Sequence, residues 1–308
     1  MTGPCQSQEN SLGDKTMAKV AFLGLGVMGY PMAGHLLKKG GHDVTVYNRT
    51  AAKAQQWAKE YGGKSAATPR EAARDCEFVL MCVGNDDDVR SVVYGDNGAL
   101  AGIKKGAILV DHTTASATVA REIFEKTKAM GIGFVDAPVS GGQAGAVNGQ
   151  LGIMCGGEPA IFDKAKPVLD VYAKICALIG GPGAGQLTKM VNQLCIVGIA
   201  QSLAEALAFA KRNDLDLEKV IGVISKGAAQ SWQMDNRWKP MSEGKTEGFG
   251  FATEWMRKDM GICFAQAKAS NASLPVAALV DQFYSRLEAR GGKRWDSTAS
   301  LIQLLLKD

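Results

Sequence analysis

Lys189 and Asn192 form the residue pair in this 308-residue sequence that is best suited to acid–base chemistry. They lie three positions apart in a stretch with helical periodicity, so both side chains would share one helix face. A lysine at a cleft can protonate a carbonyl oxygen as hydride reaches the carbon, or remove a hydroxyl proton in reverse. Burial and a bound cationic ring would lower its pKa toward neutrality, as this role requires. Taken alone, a lysine on such a helix is usually a solvated charge.

A second polar group lies in the segment from Asp136 to Gly142, which follows a predicted strand. The hydroxyl of Ser140 and the N–H groups of Gly141 and Gly142 could cradle a carboxylate. Each hydrogen bond to such a charged group contributes about 1.5–3 kcal/mol. A structural turn imposed by Pro138 and the two glycines explains the same residues equally well.

A glycine pattern follows the first predicted strand and opens a helix: Gly24-Leu25-Gly26-Val27-Met28-Gly29. In this context Gly24 permits the tight turn, Gly26 lets a pyrophosphate approach the backbone, and Gly29 allows close packing of helix on strand. The helix N-terminus then offers unpaired N–H groups to the diphosphate. Because strand, turn and helix occur in this order, the pattern predicts a dinucleotide site rather than a bare turn.

The end of the second predicted strand bears on which dinucleotide binds. An acid here would hold the ribose 2′-hydroxyl of NAD, but the residues are Asn48, Arg49 and Thr50. Arg49 can pair with a 2′-phosphate, and its two neighbours can donate hydrogen bonds. We therefore predict NADP, with NAD left open because Arg49 also fits a solvated turn.

The elements that must position these residues alternate up to about residue 180, which predicts a Rossmann-type, doubly wound, mostly parallel sheet. An all-helical region follows, joined to it by a long interdomain helix. We predict a flexible extension over 1–17, a dinucleotide-binding domain over 18–180 and a substrate and oligomerisation domain over 181–308. The predicted strands are 19–23, 43–47, 78–83, 107–110, 133–136, 150–155 and 175–179. The predicted helices are 29–39, 51–61, 69–74, 87–94, 115–130, 159–168, 186–212, 217–225, 230–239, 253–270, 275–289 and 297–307, with a loop over 241–250.

Composition argues against several other classes of protein. The net charge is only +4, and basic and acidic residues are interleaved without the basic stripe of a nucleic-acid binder. The three histidines lack ligand spacing, so no metal is expected. The seven cysteines form no CxxC pair, which is typical of a cytoplasmic protein with reduced thiols. No segment is expected to be apolar for long enough to cross a membrane.

Four sequence blocks together resemble the β-hydroxyacid dehydrogenase family, which includes 3-hydroxyisobutyrate dehydrogenase, tartronate semialdehyde reductase and glyoxylate/succinic semialdehyde reductases. The resemblance runs from about Ala18 to the C-terminus. The blocks are residues 22–33, 136–142, 183–192 and 258–260. The resemblance implies a small 3-hydroxy carboxylate or semialdehyde as substrate and a homodimer or homotetramer. Six apolar residues of the long helix also favour self-association, since one small domain offers too little surface to cover them: Leu194, Ile196, Val197, Ile199, Leu203 and Leu207.

The resemblance also implies a role for individual residues. Lys189 matches the catalytic lysine and Asn192 the substrate-orienting asparagine. Phe251 and Asp259 look like the supporting aromatic and acidic residues near the cleft. The implied substrate-carboxylate residues are Ser140, Gly141 and Gly142, and the implied cofactor contacts beyond the glycine segment are Val83, Gly84, Thr114 and Lys258.

Three other interpretations remain open from the sequence. An oxidative decarboxylase related to 6-phosphogluconate dehydrogenase also pairs a glycine pattern with a lysine, although its helical domain is larger. An imine reductase has the same architecture but usually lacks the lysine. A catalytically silent cofactor-binding module would also resemble the family but would have lost Lys189.

Overall fold

A nine-stranded sheet forms one half of the computed structural model, which describes residues 17–248 and 251–306. Strands β1 to β6 are parallel, β8 is antiparallel to β6 and β7, and β9 is parallel to β8. Their order is β3-β2-β1-β4-β5-β6-β8-β7, with β9 beside β8. The mostly parallel Rossmann-type prediction is confirmed. The strands are β1 (Lys19–Leu23), β2 (Asp43–Tyr47), β3 (Lys64–Ser65), β4 (Phe78–Met81), β5 (Ile108–Asp111), β6 (Gly133–Asp136), β7 (Val139–Ser140), β8 (Leu151–Gly157) and β9 (Ala173–Gly180).

Helices cover both faces of this sheet and build the second half of the molecule. Those between strands are α1 (Gly29–Lys38), α2 (Ala51–Tyr61), α3 (Pro69–Ala73), α4 (Asp86–Val93), α5 (Ala117–Ala129), α6 (Gly142–Val147) and α7 (Pro159–Leu169). Those after β9 are α8 (Ala184–Arg212), α9 (Leu217–Ile224), α10 (Trp232–Ser242), α11 (Thr253–Ser270), α12 (Pro275–Ala289) and α13 (Gln303–Leu306). Two buried apolar clusters, one holding Phe22 and the other Leu109, pack on opposite faces of the sheet, and a third around Tyr284 lies in the helical half.

Several predicted elements differ from those observed. β3, β7 and α6 were not predicted, because two-residue strands and a glycine-containing turn of helix carry little periodicity. The predicted helix 297–307 is wrong over most of its length, since only α13 is helical there. The Oδ1 atom of Asp296 accepts bonds from Thr298 and Ala299 and holds that segment in turns. The predicted loop 241–250 begins too early, because α10 continues to Ser242. Three stretches of the predictions lie outside the described residues. They are positions 249–250 of the predicted loop, position 307 of the predicted last helix, and the predicted extension up to residue 16.

Helix α8 corrects two expectations. Among the described helices it alone is long and apolar enough to cross a membrane, so the prediction that no such segment exists is wrong by that criterion. Half of its most apolar window is nevertheless buried inside the molecule, as in the central helix of a globular fold. The argument for self-association also weakens, because Val197, Leu203 and Leu207 pack within the chain's own core.

Candidate active site

The glycine segment closes tightly between β1 and α1. Gly24 has a φ of +97°, a conformation that favours glycine, and its N–H donates to the Tyr47 carbonyl over 2.8 Å. A Cβ at Gly29 would lie 2.0 Å from the Gly24 carbonyl oxygen, so only glycine permits this packing. A Cβ at Gly26, in contrast, would meet nothing within 4 Å. The predicted roles of Gly24 and Gly29 fit this geometry, and the open space over Gly26 fits a dinucleotide phosphate.

The N-terminus of α1 is also suited to an anion. No side chain of the described residues caps it, and its first turn carries no acidic residue. The Tyr30 N–H already donates to the Gly26 carbonyl over 3.1 Å, so what the helix offers a ligand is its positive dipole end and the N–H groups that precede Tyr30. Leu25 is buried, Met28 is half-buried and Val27 is exposed beside this turn. The residues present thus fit the dinucleotide that the sequence predicts.

Asn48 braces the glycine segment. Its Oδ1 atom accepts from the Leu25 N–H over 2.9 Å, and its Nδ2 atom donates to the Thr50 carbonyl over 3.1 Å. Arg49 is exposed and forms an ion pair with Asp88, with Nη1 3.2 Å from Oδ1. Asp88 of α4 thus places a carboxylate close to the end of β2, where the strand itself has no acidic residue. The sequence analysis did not anticipate this contact.

Lys258 of α11 reaches across to the ends of two strands. Its Nζ atom donates to the carbonyls of Gly84 and Thr114 over 3.0 and 2.6 Å, and Val83 N–H donates to Thr113 Oγ1 over 3.0 Å. These loops follow β4 and β5, and β4 lies beside β1 where the strand order reverses. Doubly wound sheets bind nucleotides at this switch point. Four predicted cofactor positions (Val83, Gly84, Thr114 and Lys258) are thus brought together.

Asp136 fixes the start of α8. This fully buried carboxylate accepts from the N–H groups of Gly183 and Gln186 over 2.8 and 2.9 Å. Burial raises the pKa of Asp136 to about 6, and these backbone donors act in the opposite direction. The Gln186 side chain in turn bonds to the backbone of Thr113 and Ala115. The helix that carries Lys189 is therefore held firmly against the sheet.

Lys189 lies one turn into α8 and is only 7% exposed. Its ammonium forms no hydrogen bond or ion pair with another residue in the part of the chain that the structure describes. Burial lowers its pKa to about 8, the nearby Asp259 carboxylate opposes this, and the Lys258 ammonium adds to it. A lysine with this pKa exchanges its proton close to neutral pH, as an acid–base group must.

A chain of hydrogen bonds links the predicted substrate residues. Ser140 Oγ lies 3.4 Å from Asn192 Oδ1, and Asn192 Nδ2 donates to Gln193 Oε1 over 2.8 Å. Gln193 Nε2 then donates to Asp259 Oδ2 over 2.6 Å, and Asp259 Oδ1 lies 3.1 Å from Lys258 Nζ. These bonds connect β7, α8 and α11, and they join the predicted carboxylate-binding residue Ser140 to the predicted cofactor contact Lys258.

The other predicted substrate residues lie at the edges of this arrangement. Gly141 and Gly142 are exposed at the start of α6, with φ values of +126° and +60°. Phe251 is half-buried against the helical core, and its carbonyl accepts from the Ser297 N–H. No hydrogen bond or ring contact joins the Phe251 side chain to the other predicted residues within the described ranges.

Asp88, Asp136, Gln186 and Gln193 were missed by the sequence analysis. Apart from Asn192 beside Gln193, the partners of these side chains lie 39 to 73 positions away along the chain, so no local spacing marks them. Asp136 is the first residue of the 136–142 segment, in which no role was predicted for it, and Gln193 directly follows Asn192; only that proximity could have drawn attention to them.

Comparisons with known proteins match both halves of the chain. Residues 19–181 match the family model described as the NAD binding domain of 6-phosphogluconate dehydrogenase, and residues 183–305 match that described as NAD-binding of NADP-dependent 3-hydroxyisobutyrate dehydrogenase. An uncharacterized oxidoreductase of Shewanella frigidimarina is 62% identical over 94% of this chain and 98% of its own.

The chain belongs to the β-hydroxyacid dehydrogenase family.

Two further relatives extend the comparison. The 2-(hydroxymethyl)glutarate dehydrogenase of Eubacterium barkeri is 34% identical over 91% of this chain and 93% of its own. A solved structure of Mycobacterium tuberculosis 3-hydroxyisobutyrate dehydrogenase with L-serine superposes with a TM-score of 0.84 at 28% identity, covering 94% and 99% of the two chains. This protein is accordingly an oxidoreductase of the NAD(P)-dependent hydroxyacid dehydrogenase type.

Proposed function

We propose that this protein interconverts a small semialdehyde and its 3-hydroxy carboxylate, with NADP as preferred cofactor and Lys189 as general acid and base. The observation that carries the proposal is the buried Lys189 ammonium, with a pKa of about 8, one turn from an asparagine bonded to Ser140. Without that lysine, no side chain proposed here would donate a proton to the substrate oxygen or remove one from it.

A bound nicotinamide supplies or accepts the hydride, and the chain's own residues handle the proton and the alignment. In reduction, Lys189 gives its proton to the substrate oxygen as that oxygen gains negative charge. In oxidation, the neutral amine of Lys189 removes the hydroxyl proton. Because the lysine is buried, its charge acts on that oxygen with little screening by water.

Ser140, Gly141 and Gly142 are proposed to bind the substrate carboxylate. Gly141 and Gly142 are exposed where α6 begins, and the first N–H groups of a helix lack intrahelical acceptors. Among the described residues, the Ser140 hydroxyl is held only by the long contact to Asn192. These donors are therefore available to an anionic group, and the substrate carbonyl would lie toward Lys189 on the adjoining helix.

NADP preference is supported by the exposed Arg49 guanidinium, whose present partner Asp88 can be exchanged for a 2′-phosphate. Asn48 contributes indirectly, since its side chain is already bonded to the backbone of Leu25 and Thr50. NAD remains compatible with the same loop, because Asp88 could accept a bond from a ribose hydroxyl. A cytoplasmic location and a homodimer or homotetramer complete the proposal, and neither nucleic acid nor a membrane is proposed as a partner.

The rival functions are less well supported. The helical half matches the 3-hydroxyisobutyrate dehydrogenase model over 183–305, which favours a hydroxyacid dehydrogenase over an oxidative decarboxylase. The retained and buried Lys189 argues against an imine reductase and against a silent binding module.

The decisive experiment is a screen of short aldehydes, each with and without a carboxylate, using NADPH and NADH. The absorbance of the reduced nicotinamide reports turnover. We expect oxidation of NADPH by one or more semialdehydes and much slower oxidation by the matched aldehydes. Equal rates within such pairs, or no turnover with any member, would overturn the proposal.

A further inference from the structure

We propose that Trp255 is a cofactor-binding residue, whose indole ring packs on the adenosine half of the bound dinucleotide. Neither the sequence motifs nor the relatives assign this tryptophan a role. The inference rests on the dinucleotide site of the proposed function, and it does not depend on the substrate or on proton transfer by Lys189.

Trp255 lies in the first turn of α11, three residues before Lys258, so both side chains share one face of the helix. Lys258 directs that face at the sheet, because its Nζ atom donates to the carbonyl of Gly84 over 3.0 Å. The Trp255 ring reaches the same residue, since a Cβ at Gly84 would lie 3.9 Å from the Cη2 atom of the indole. The tryptophan is thus held over the loop that follows β4, at the edge of the predicted cofactor site.

The Trp255 ring is only partly covered in this position. The residue is 37% exposed, and within residues 17–248 and 251–306 its indole N–H makes no hydrogen bond. A tryptophan ring carries one of the largest apolar surfaces of any side chain, so covering the exposed part would be favourable. A planar group of a ligand in the cleft can provide that cover.

The position of Asp88 indicates which half of the dinucleotide meets this ring. The Asp88 carboxylate also lies against Gly84, with Oδ2 2.4 Å from the position of a Cβ there. Its other oxygen pairs with Arg49 over 3.2 Å. Arg49 follows β2, where a doubly wound fold binds the adenosine ribose. Trp255 and Asp88 therefore flank one point of the cleft edge, and Arg49 continues that edge on the adenosine side.

An aromatic ring suits adenosine better than it suits the other parts of the cofactor. Adenine is planar and stacks on aromatic side chains without needing a particular hydrogen-bond partner. The diphosphate needs the N–H groups of the glycine segment, and the nicotinamide must lie beside the substrate near Lys189. The helical half thus contributes twice to the cofactor site, with Lys258 fastening the loop after β4 and Trp255 contacting the adenosine.

Binding of a cofactor fragment tests this assignment without turnover. Isothermal titration calorimetry on the purified protein, freed of cofactor, compares adenosine 2′,5′-bisphosphate with NADPH and NADH. Trp255→Ala removes the ring, and Trp255→Phe keeps a smaller one. Trp232→Ala is the matched control, because Trp232 is the other exposed tryptophan of the helical half and stacks on Arg237 of its own helix.

We expect Trp255→Ala to raise the Kd of the bisphosphate, NADPH and NADH by similar factors of about 10-fold. Trp255→Phe should recover most of this loss, because a phenyl ring still stacks on adenine. Binding of the bisphosphate should quench tryptophan emission in the wild-type protein, and Trp255→Phe should remove most of that quenching. Trp232→Ala should leave all three Kd values unchanged.

An unchanged Kd for the bisphosphate in Trp255→Ala would overturn the inference, even if NADPH binding weakened. Equal losses in Trp255→Ala and Trp232→Ala would show a general disturbance of the helical half and would overturn it as well. If Trp255→Ala fails to fold, Trp255→Leu replaces it, since leucine fills space but cannot stack. The proposed function fails separately, because its test is turnover of a semialdehyde and these binding measurements need no substrate.

Discussion

The Lys258 ammonium donates to the backbone carbonyl of Thr114, 144 positions earlier in the chain, over 2.6 Å. This bond fastens α11 to the loop after β5, and a parallel bond to Gly84 fastens it to the loop after β4. Because Asp259 follows directly on α11, the same contacts also place its carboxylate beside α8. The charges that surround Lys189 are therefore set by the docking of α11.

The pH dependence of turnover should reveal the Lys189 proton. Its pKa of about 8 lies below the usual value because burial disfavours the charged form. Reduction needs the ammonium, so kcat for reduction should fall as the pH rises through about 8. Oxidation needs the neutral amine, so its kcat should rise over the same range. A reduction rate that stays constant through this range would contradict the assignment.

Two substitutions should move this transition in opposite directions. Asp259→Asn removes a negative charge that raises the Lys189 pKa, so the transition should shift to lower pH. Lys258→Met removes a positive charge that lowers the same pKa, so the transition should shift to higher pH. Shifts of the same sign in steady-state pH profiles would show that another group is titrating.

Replacement of Lys189 should separate turnover from binding. Lys189→Ala should lower kcat about 10²–10⁴-fold, the usual cost of losing a positioned acid–base group. NADPH affinity, measured by fluorescence titration, should change little, because the glycine segment that would bind the diphosphate lies between β1 and α1 and Lys189 lies on α8. Lys189→Arg should fail as well, since guanidinium keeps the charge but holds its proton near neutral pH. Near-normal kcat in either variant would refute the mechanism.

Cofactor preference should depend on the Arg49–Asp88 pair. Arg49→Met should raise KM for NADPH roughly 10-fold or more and leave KM for NADH almost unchanged, because only NADPH carries the 2′-phosphate. Asp88→Asn should have the reverse effect on NADPH, since it releases the guanidinium and removes a nearby negative charge. Asn48→Asp is a less specific probe, because Asn48 also supports Leu25. A wild-type protein that already prefers NADH would contradict the NADP assignment.

Ser140→Ala should weaken the binding of the carboxylate. Loss of one hydrogen bond to a charged group costs about 1.5–3 kcal/mol, or roughly 10- to 150-fold in kcat/KM. KM should rise and kcat should also fall, because the same contact aligns the carbonyl with Lys189. Equal effects on aldehydes with and without a carboxylate would place Ser140 outside the carboxylate site.

Self-association remains a prediction. It rests on the exposed apolar residues of the helical half, which include Val191 and Phe209 on α8 and Val276 and Leu279 on α12. Light scattering at micromolar concentration should show a dimer or tetramer. A monomer under those conditions would count against it, and Phe209→Ser with Val276→Ser should promote dissociation if these faces meet.

The sequence predicted the parts of the site that depend on local spacing. The glycine segment needs only a strand, a turn and a helix in order, and the face shared by Lys189 and Asn192 follows from helical geometry. The contacts of Gln193 with Asp259 and of Asp136 with Gly183 join residues that are distant in the chain, so no periodicity reports them. Short elements such as β7 and α6 were missed for a related reason, since tertiary packing rather than residue pattern forms them.

The double attachment of Asp136 has a mechanical consequence. Asp136 ends β6, four residues before Ser140, and its carboxylate also holds the first turn of α8. The serine and the lysine therefore share one rigid support, and a Cβ at Gly185 would already collide with the Met154 carbonyl oxygen at 2.4 Å. A hinge for cleft opening cannot lie at Gly183 without breaking this support. Since α11 packs with α8 in one apolar core, the sheet, the serine and the two helices that surround the lysine form a single continuous support.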